Sequence, residues 1–381
     1  MQENITKKFK INIFKTKNYW RNLDKQIFVS FIFLFSLGLF FSFSSTSFIA
    51  DERLNKEYYF FFQKHLLYAL LSFSLMISIS LCNTNFLNKV LFPIFLIFFI
   101  TMVLVPFFGV EVKGAKRWLN LYIFRFQPIE FLKPFFILVV AQIISSHFIK
   151  NLNLSYFLSF LLLSLIVLLL ISQPDLGQSV LIICAWISII FISGFNIYLL
   201  LMLFTFIILL FSTLVYFVPD KFNYIITRIT SFLNPEKSEN FQSTRATEAI
   251  REGSLKGQGM GEGILKESVP EAHTDYVIAV ISEEFGSVVS ILIISIFLFI
   301  AFRVIKKIII LNKNFYKLAL SGLISLLIFQ TFIHVGVNTS LLPTTGMTLP
   351  FLSYGGSSLI GSAILAGVIL NYTKIKLDID E

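Results

Sequence analysis

Charge is scarce in this chain: 14% of its 381 residues are Asp, Glu, Lys or Arg, against 56% that are hydrophobic. That balance excludes an ordinary water-soluble domain and describes a chain whose solvent is lipid. Histidine is scarcer still, and the four residues His65, His147, His273 and His334 lie too far apart in sequence for zinc-site spacing. The two cysteines, Cys82 at the end of one apolar segment and Cys184 inside another, argue against a structural disulfide and leave the redox compartment open. No G-x-x-x-x-G-K-S/T run occurs; the stretch Gly257 to Gly263 has the wrong spacing and follows no strand, so ATP hydrolysis has no support. Low-complexity linkers and repeat periods are absent as well. The 46 phenylalanines, plentiful beside Ile, Asn and Lys, fit the drift of an AT-rich coding sequence.

What the chain has instead is apolar length. A hydrocarbon core about 30 Å thick needs about 20 apolar helical residues per crossing. Ten such stretches fit, at 27–50, 58–81, 86–110, 128–149, 154–171, 176–193, 197–219, 276–302, 316–338 and 355–372. The expectation is an all-α, polytopic membrane protein with ten transmembrane helices and one long extracytoplasmic loop, 220–275. A basic cytoplasmic segment, 1–26, would precede the ten-helix unit 27–372, and a cytoplasmic tail, 373–381, would follow it. The net charge of +9 concentrates at Lys7, Lys8, Lys10, Lys15, Lys17, Arg21 and Lys25, which reads as a cytoplasmic anchor and not a nucleic-acid site. The apolar stretch from Ile27 runs too long, and lacks the small-residue cleavage site, for a removable signal peptide.

Lys89, Lys150, Arg303, Lys306, Lys307, Lys313, Lys374 and Lys376 fall on the same predicted side as the amino terminus, as the positive-inside rule requires. The connection carrying Glu111, Lys113, Lys116, Arg117 and Arg125 breaks that rule, and cations kept against topology suggest an anionic ligand. The long connection holds seven Lys/Arg, nine Asp/Glu and five glycines between Gly253 and Gly263. Within it Ser243 to Arg251 suits a short helix lying on the membrane. The other unusual segments, Lys113–Lys133, Gln173–Gln178, Glu252–Glu284 and Leu341–Ser358, all occupy outward connections, a pattern that builds one cavity open to the outside.

The richest is Pro270 to Tyr276, where a carboxylate, an imidazole and hydroxyls stand at the entrance to an apolar helix. Asp275 there reads either as a helix cap or as a general base sharpened by partial burial. Asp175, after Gln173-Pro174, is adequately explained as an N-cap. Glu130 and Lys133, at i,i+3 behind Pro128, either neutralise each other or leave Lys133 to join Lys116, Arg117 and Arg125 on a phosphate or diphosphate. Trp118 stacks on a sugar or sits in an interfacial belt. Leu342 to Ser358 combines helix breakers with hydroxyls at membrane depth, which is tolerated only where backbone lines a cavity or is buried in protein.

Taken together, Gly114–Trp118, Gln127–Glu130, Pro174–Gly177, Pro270–Asp275, Glu283–Gly286 and Leu342–Ser358 resemble, in order and spacing, the SEDS (FtsW/RodA) family of bacterial ten-span membrane proteins. Ile129 departs from the small residue usual at that position. The Pro270–Asp275 run, Gly259–Gly263 and Thr348–Gly356 look like the division branch, with the elongation branch the close alternative. The resemblance implies a peptidoglycan glycosyltransferase that polymerises lipid II by inverting transfer, with undecaprenyl diphosphate as leaving group. It would act at the outer face of the bacterial cytoplasmic membrane, at the division septum. It implies Asp275 as the catalytic residue, with Lys116, Arg117, Trp118, Arg125, Glu130, Lys133, His273, Ser353 and Tyr354 as the substrate-binding set. The partners implied are lipid II, an undecaprenyl-diphosphate-linked glycan, a class B penicillin-binding protein and other divisome proteins. A divalent cation, Mg or Mn, is admissible beside the diphosphate, although the sequence shows no ligand set for one. A lipid II flippase, a lateral-wall polymerase and a structural scaffold are the competing readings.

Overall fold

The computed structural model describes residues 19–54, 59–112, 115–120, 125–146, 152–202, 219–233, 241–269 and 272–374, with a few positions between 203 and 218. Residues 1–18 of the expected N-terminal basic segment, most of the span at 197–219, and all but the first two residues of the expected tail lie outside these. A one-turn helix α1 (Tyr19–Asn22) leads into α2 (Lys25–Leu54), α3 (Phe60–Leu81) and α4 (Thr84–Phe108). Three strands follow, β1 (Val110–Val112), β2 (Ala115–Asn120) and β3 (Arg125–Phe126), then α5 (Pro128–Ser145), α6 (Leu152–Ser172) and α7 (Leu176–Ile192). Beyond lie α8 (Pro219–Leu233), α9 (Phe241–Gly253), the single turns α10 (Leu265–Ser268) and α11 (Ala272–Asp275), and α12 (Val277–Phe285). The chain closes with α13 (Ser287–Ile310), α14 (Asn314–Asn338) and α15 (Gly356–Tyr372).

Seven of these helices are long and apolar enough to cross a membrane, and α7 and α15 are shorter apolar helices. Their outward faces are hydrophobic: Phe92, Ile97, Ile100, Phe107 and Phe108 stand exposed on α4, and Ile291, Leu298, Phe302 and Ile309 on α13. Water would not tolerate such continuous apolar faces, and lipid does. The centre belongs to α5, α14 and α15. Of α5, every residue from Pro128 to Ala141 is buried, and of α15 nearly every one. α15 lies along α3 and against α5, while α14 packs on α5, α7 and α13. Gly361 permits that closeness, since a Cβ there would stand 2.4 Å from the Glu130 carbonyl oxygen.

Two expectations are corrected. The predicted crossing at 276–302 is broken at Gly286, and the membrane-length helix is 287–310. Gly286 has φ +87°, and a Cβ on it would meet the Leu255 carbonyl oxygen at 2.1 Å. The glycine-rich stretch folds onto this corner: Gln258 N–H donates to Glu283 O at 2.8 Å and Gly259 N–H to Glu284 O at 3.0 Å. Its glycines therefore serve close backbone approach. Glu283 reaches back to the backbone N–H groups of Ile264 (2.8 Å) and Leu265 (3.1 Å), and burial pushes its carboxyl up despite those two bonds. Gly286→Val should cost about 2 kcal/mol or more, from left-handed strain plus the backbone collision. Thermal unfolding of the detergent-solubilised protein would measure it, and an unchanged midpoint would refute it.

The second correction concerns α9. A helix forms there as expected, but it packs on α12, with Ala246 and Ala249 buried and Thr247 Oγ1 2.8 Å from Ser340 Oγ. It therefore rests on protein. The 110–126 strands were not foreseen; they form an antiparallel sheet ordered β1-β2-β3, pairing Glu111 with Lys116 and Asn120 with Arg125.

Candidate active site

A cavity of about 910 Å³ opens among β2, β3, the starts of α5 and α7, α8, α11 and the 344–358 segment. Of the residues singled out from sequence, Arg117, Trp118, Arg125, Glu130, His273, Asp275 and Tyr354 line it. The other three do not. Lys116 is exposed on β2, where strand alternation turns it away from its neighbour Arg117. Lys133 is 2% exposed, 2.7 Å from Glu130 and 2.8 Å from Gln330 Oε1, so the pairing alternative is the one this geometry displays. Ser353 is buried, and its hydroxyl is spent on backbone.

Asp275 ends a single helical turn. Tyr276 interrupts the helix with φ −123° and ψ 27°, which denies the carbonyls of α11 the N–H partners that a continuing helix would provide. Three successive carbonyls find partners elsewhere. Tyr354 N–H donates to His273 O at 3.1 Å, Ser353 Oγ to Thr274 O at 2.6 Å, and Asn338 Nδ2 to Asp275 O at 3.0 Å. Leu349 N–H in turn donates to Ser353 Oγ at 2.8 Å. The backbone carrying the carboxylate is thereby fixed from two separate elements, as a catalytic group requires. The carboxyl itself faces the cavity beneath Gly346, where a Cβ would lie 3.5 Å from Asp275 Oδ2.

Around Asp275 sit an aromatic cluster and a set of cations. His273 and Tyr354 rings are 5.5 Å apart, and Phe61 packs against both. Burial pushes the Tyr354 phenol up to about 12 and the Tyr276 phenol further, the latter aided by the Asp275 charge, so both remain neutral donors at ordinary pH. Arg117, Arg125, Lys64 and Arg228 supply the positive charge. Arg117 is oriented by Gln173 O at 3.1 Å, by Pro174 O, and by Asp175 at 3.9 Å. Asp175 caps α7 through Gln178 N–H and accepts from Gln127 Nε2 at 3.1 Å. Burial pushes its carboxyl up, against the downward pull of Arg117 and of that backbone bond. Arg228, on α8, was missed by sequence reading. Burial, and then Arg117, hold its guanidinium below the usual arginine range, so an anion entering the cavity would relieve both. Its signal was present as a lone arginine four residues after Tyr224 in an amphipathic run. Among the described residues no group of three or more His, Cys, Asp or Glu is placed to hold a metal ion.

A backbone-anchored carboxylate thus stands in a cationic, aromatic-walled cavity. The family model that matches residues 24–376 is the one for FtsW, RodA and SpoVE, described as "cell cycle protein". The chain belongs to this family. Among its relatives, a protein of Caulobacter vibrioides named "Probable peptidoglycan glycosyltransferase FtsW" is 35% identical over 92% of this chain and 89% of its own length. A Pasteurella multocida protein of the same name is 34% identical, over 91% of this chain and 89% of its own. In solved structures, one chain of a peptidoglycan synthase complex that coordinates polymerization and crosslinking superposes with TM-score 0.76 at 25% identity. It covers 92% of this chain and 97% of that one. The rod shape determining protein RodA of Thermus thermophilus shares the fold, with TM-score 0.67 at 23% identity over 93% and 97% of the two chains. Membership, together with the apolar membrane-length helices, makes this a multi-pass helical membrane protein.

Proposed function

We propose that this FtsW/RodA-family protein polymerises lipid II as a peptidoglycan glycosyltransferase of the division branch. The observation that carries the reading is Asp275, held at three backbone carbonyls in the wall of a cavity that also presents Arg117, Arg125, Lys64 and Arg228. Asp275 takes the proton from the acceptor 4-hydroxyl. The oxygen attacks the anomeric carbon of the undecaprenyl-diphosphate-linked sugar with inversion, and the C–O bond to the diphosphate breaks. The guanidinium groups neutralise the departing charge, and a well-placed donor of this kind is worth about 3 kcal/mol. Trp118 and Tyr354 offer faces to the sugars. Glu130 lines the cavity and is paired behind it with Lys133, while Lys116 lies outside the lining on the exposed face of β2.

Orientation follows from charge. Asp24, Arg303 and Lys307 cluster where α2 begins and α13 ends, with Arg303 and Lys307 3.0 and 3.7 Å from the carboxylate. The cavity lies at the far ends of α2 and α14, so the positive-inside rule sets it outside, and ten crossings place both termini within. The same geometry disfavours a flippase. Glu130 at the cavity is paired with Lys133, and beyond them α5 continues through buried Phe136, Ile137, Val139 and Val140. A class B penicillin-binding protein is the partner this reading calls for, to crosslink the strands that a polymerase makes, and the septum is the site of action.

Purified protein with its penicillin-binding partner should convert lipid II to glycan ladders on a gel, and no product from the folded, partner-bound protein would sink the proposal. Arg228→Ala in that assay should raise the KM for lipid II about tenfold, the loss of one charge-assisted hydrogen bond. An unaltered KM would remove Arg228 from the diphosphate set.

A further inference from the structure

Three polar residues stand at intervals of four on α14, and each bonds a different backbone carbonyl of the site. Gln330 Nε2 donates to Thr348 O at 2.9 Å, His334 Nδ1 lies 2.7 Å from Met347 O, and Asn338 Nδ2 donates to Asp275 O at 3.0 Å. Intervals of four place them on one face of the helix, inside an otherwise apolar membrane-length segment. The first two hold the irregular segment that follows Gly346, the residue beside the Asp275 carboxyl. The third holds Asp275 itself.

Asn338 is wholly buried, and its amide is fully used. Nδ2 also donates to His334 O at 2.8 Å, and Oδ1 accepts from Ala279 N–H at 3.0 Å. Ala279 is the third residue of α12, whose own N-cap position, Tyr276, supplies no side-chain bond. Asn338 therefore caps α12 from another helix, and with the same amide ties down the last carbonyl of α11. One side chain spans the break at Tyr276 on both sides.

We infer that Asn338 is a positioning residue for the glycosyl transfer, fixing the direction of the Asp275 carboxylate by clamping the two helix ends that meet beside it. The inference rests on Asp275 being the base. Without the amide, α11 and α12 reorient about Tyr276, and the carboxylate loses its line to the acceptor hydroxyl while the cationic wall of Arg117, Arg125 and Arg228 stays in place. Displacement of a catalytic group by about 1 Å costs on the order of 10²-fold in rate.

The test is lipid II polymerisation by the full-length protein with its penicillin-binding partner, resolved into kcat and KM. Asn338→Leu removes all three bonds at similar volume, and the expected result is a kcat lower by about 10²-fold with the KM for lipid II within twofold of wild type. Asn338→Asp keeps the acceptor for Ala279 N–H but sets a carboxylate oxygen against the carbonyls of Asp275 and His334. It serves as the deciding variant should Asn338→Leu fail to fold, and its kcat should fall comparably with KM preserved. A folded variant of either kind turning over within threefold of wild type overturns the inference, as does a loss confined to KM. Asp275→Asn runs alongside: if it polymerises normally, the base assignment has failed, whereas an inactive Asp275→Asn beside a fully active Asn338 variant defeats this inference alone.

Discussion

Asp275→Asn is expected to abolish glycan polymerisation, lowering kcat by at least about 10³-fold, while lipid II binding stays within a few-fold of wild type. The magnitude follows from general-base catalysis, which contributes about 10²–10⁴-fold, and an amide cannot take up the proton. Folding should survive, because what anchors this residue is its backbone: the Asp275 carbonyl accepts from Asn338, and the neighbouring carbonyls from Ser353 and Tyr354. None of these bonds involves the carboxyl. Gel separation of products, paired with a binding measurement on labelled lipid II, separates the outcomes. Residual ladders near wild-type intensity would mean that another group takes the proton, and lost binding would make Asp275 a ligand for substrate.

Breaking the buried pair of Glu130 and Lys133 should have the largest effect on stability. Both are 2% exposed, 2.7 Å apart, with Gln178 Nε2 donating to Glu130 Oε1 at 2.6 Å and Gln330 Oε1 accepting from Lys133. Removing one ion strands the other in a medium that solvates it poorly, which costs about 3–5 kcal/mol. Lys133→Met alone should therefore lower the unfolding midpoint sharply. Adding Glu130→Leu should recover most of the loss, since an apolar pair of similar volume replaces an ion pair at little net cost, the remaining deficit coming from the unpartnered amides of Gln178 and Gln330. A double-mutant cycle on thermal unfolding reads this directly. If Lys133→Met instead left stability intact and removed activity, Lys133 would belong with the diphosphate-binding cations after all.

Much of the fold was legible because a membrane imposes a length. Nine of the ten apolar runs read from sequence coincide with apolar helices in the structure, for instance 152–172 against 154–171 expected, and the tenth lies mostly outside the described residues. The exception in form is the eighth, where hydropathy runs on through Gly286 and only the positive φ and the collision with Leu255 expose the break. The sheet at 110–126 escaped notice because its strands are short and its alternation is masked by charge. For the site, motif order gathered Asp275, Arg117, Trp118, Arg125 and Tyr354 around one cavity. Spacing along the chain could not show that Arg228 reaches in from α8, nor that Lys116 points away from it.

The sequence by itself determined the solvent and the length of most described helices, and it singled out the segments that the fold gathers around one cavity. Hydropathy and motif spacing are properties of neighbouring residues, and they survive any arrangement of the helices. Only the tertiary structure decided which polar groups are consumed by one another and which are left to face substrate. Lys133 stands in the same sequence segment as Arg125, and Ser353 beside Tyr354, yet Lys133 and Ser353 are spent on Glu130, Gln330 and the Thr274 carbonyl. Burial makes that partition: a polar group removed from water must be satisfied by whatever stands beside it, and what stands beside it is fixed by how α5, α11, α14 and the 344–358 segment pack.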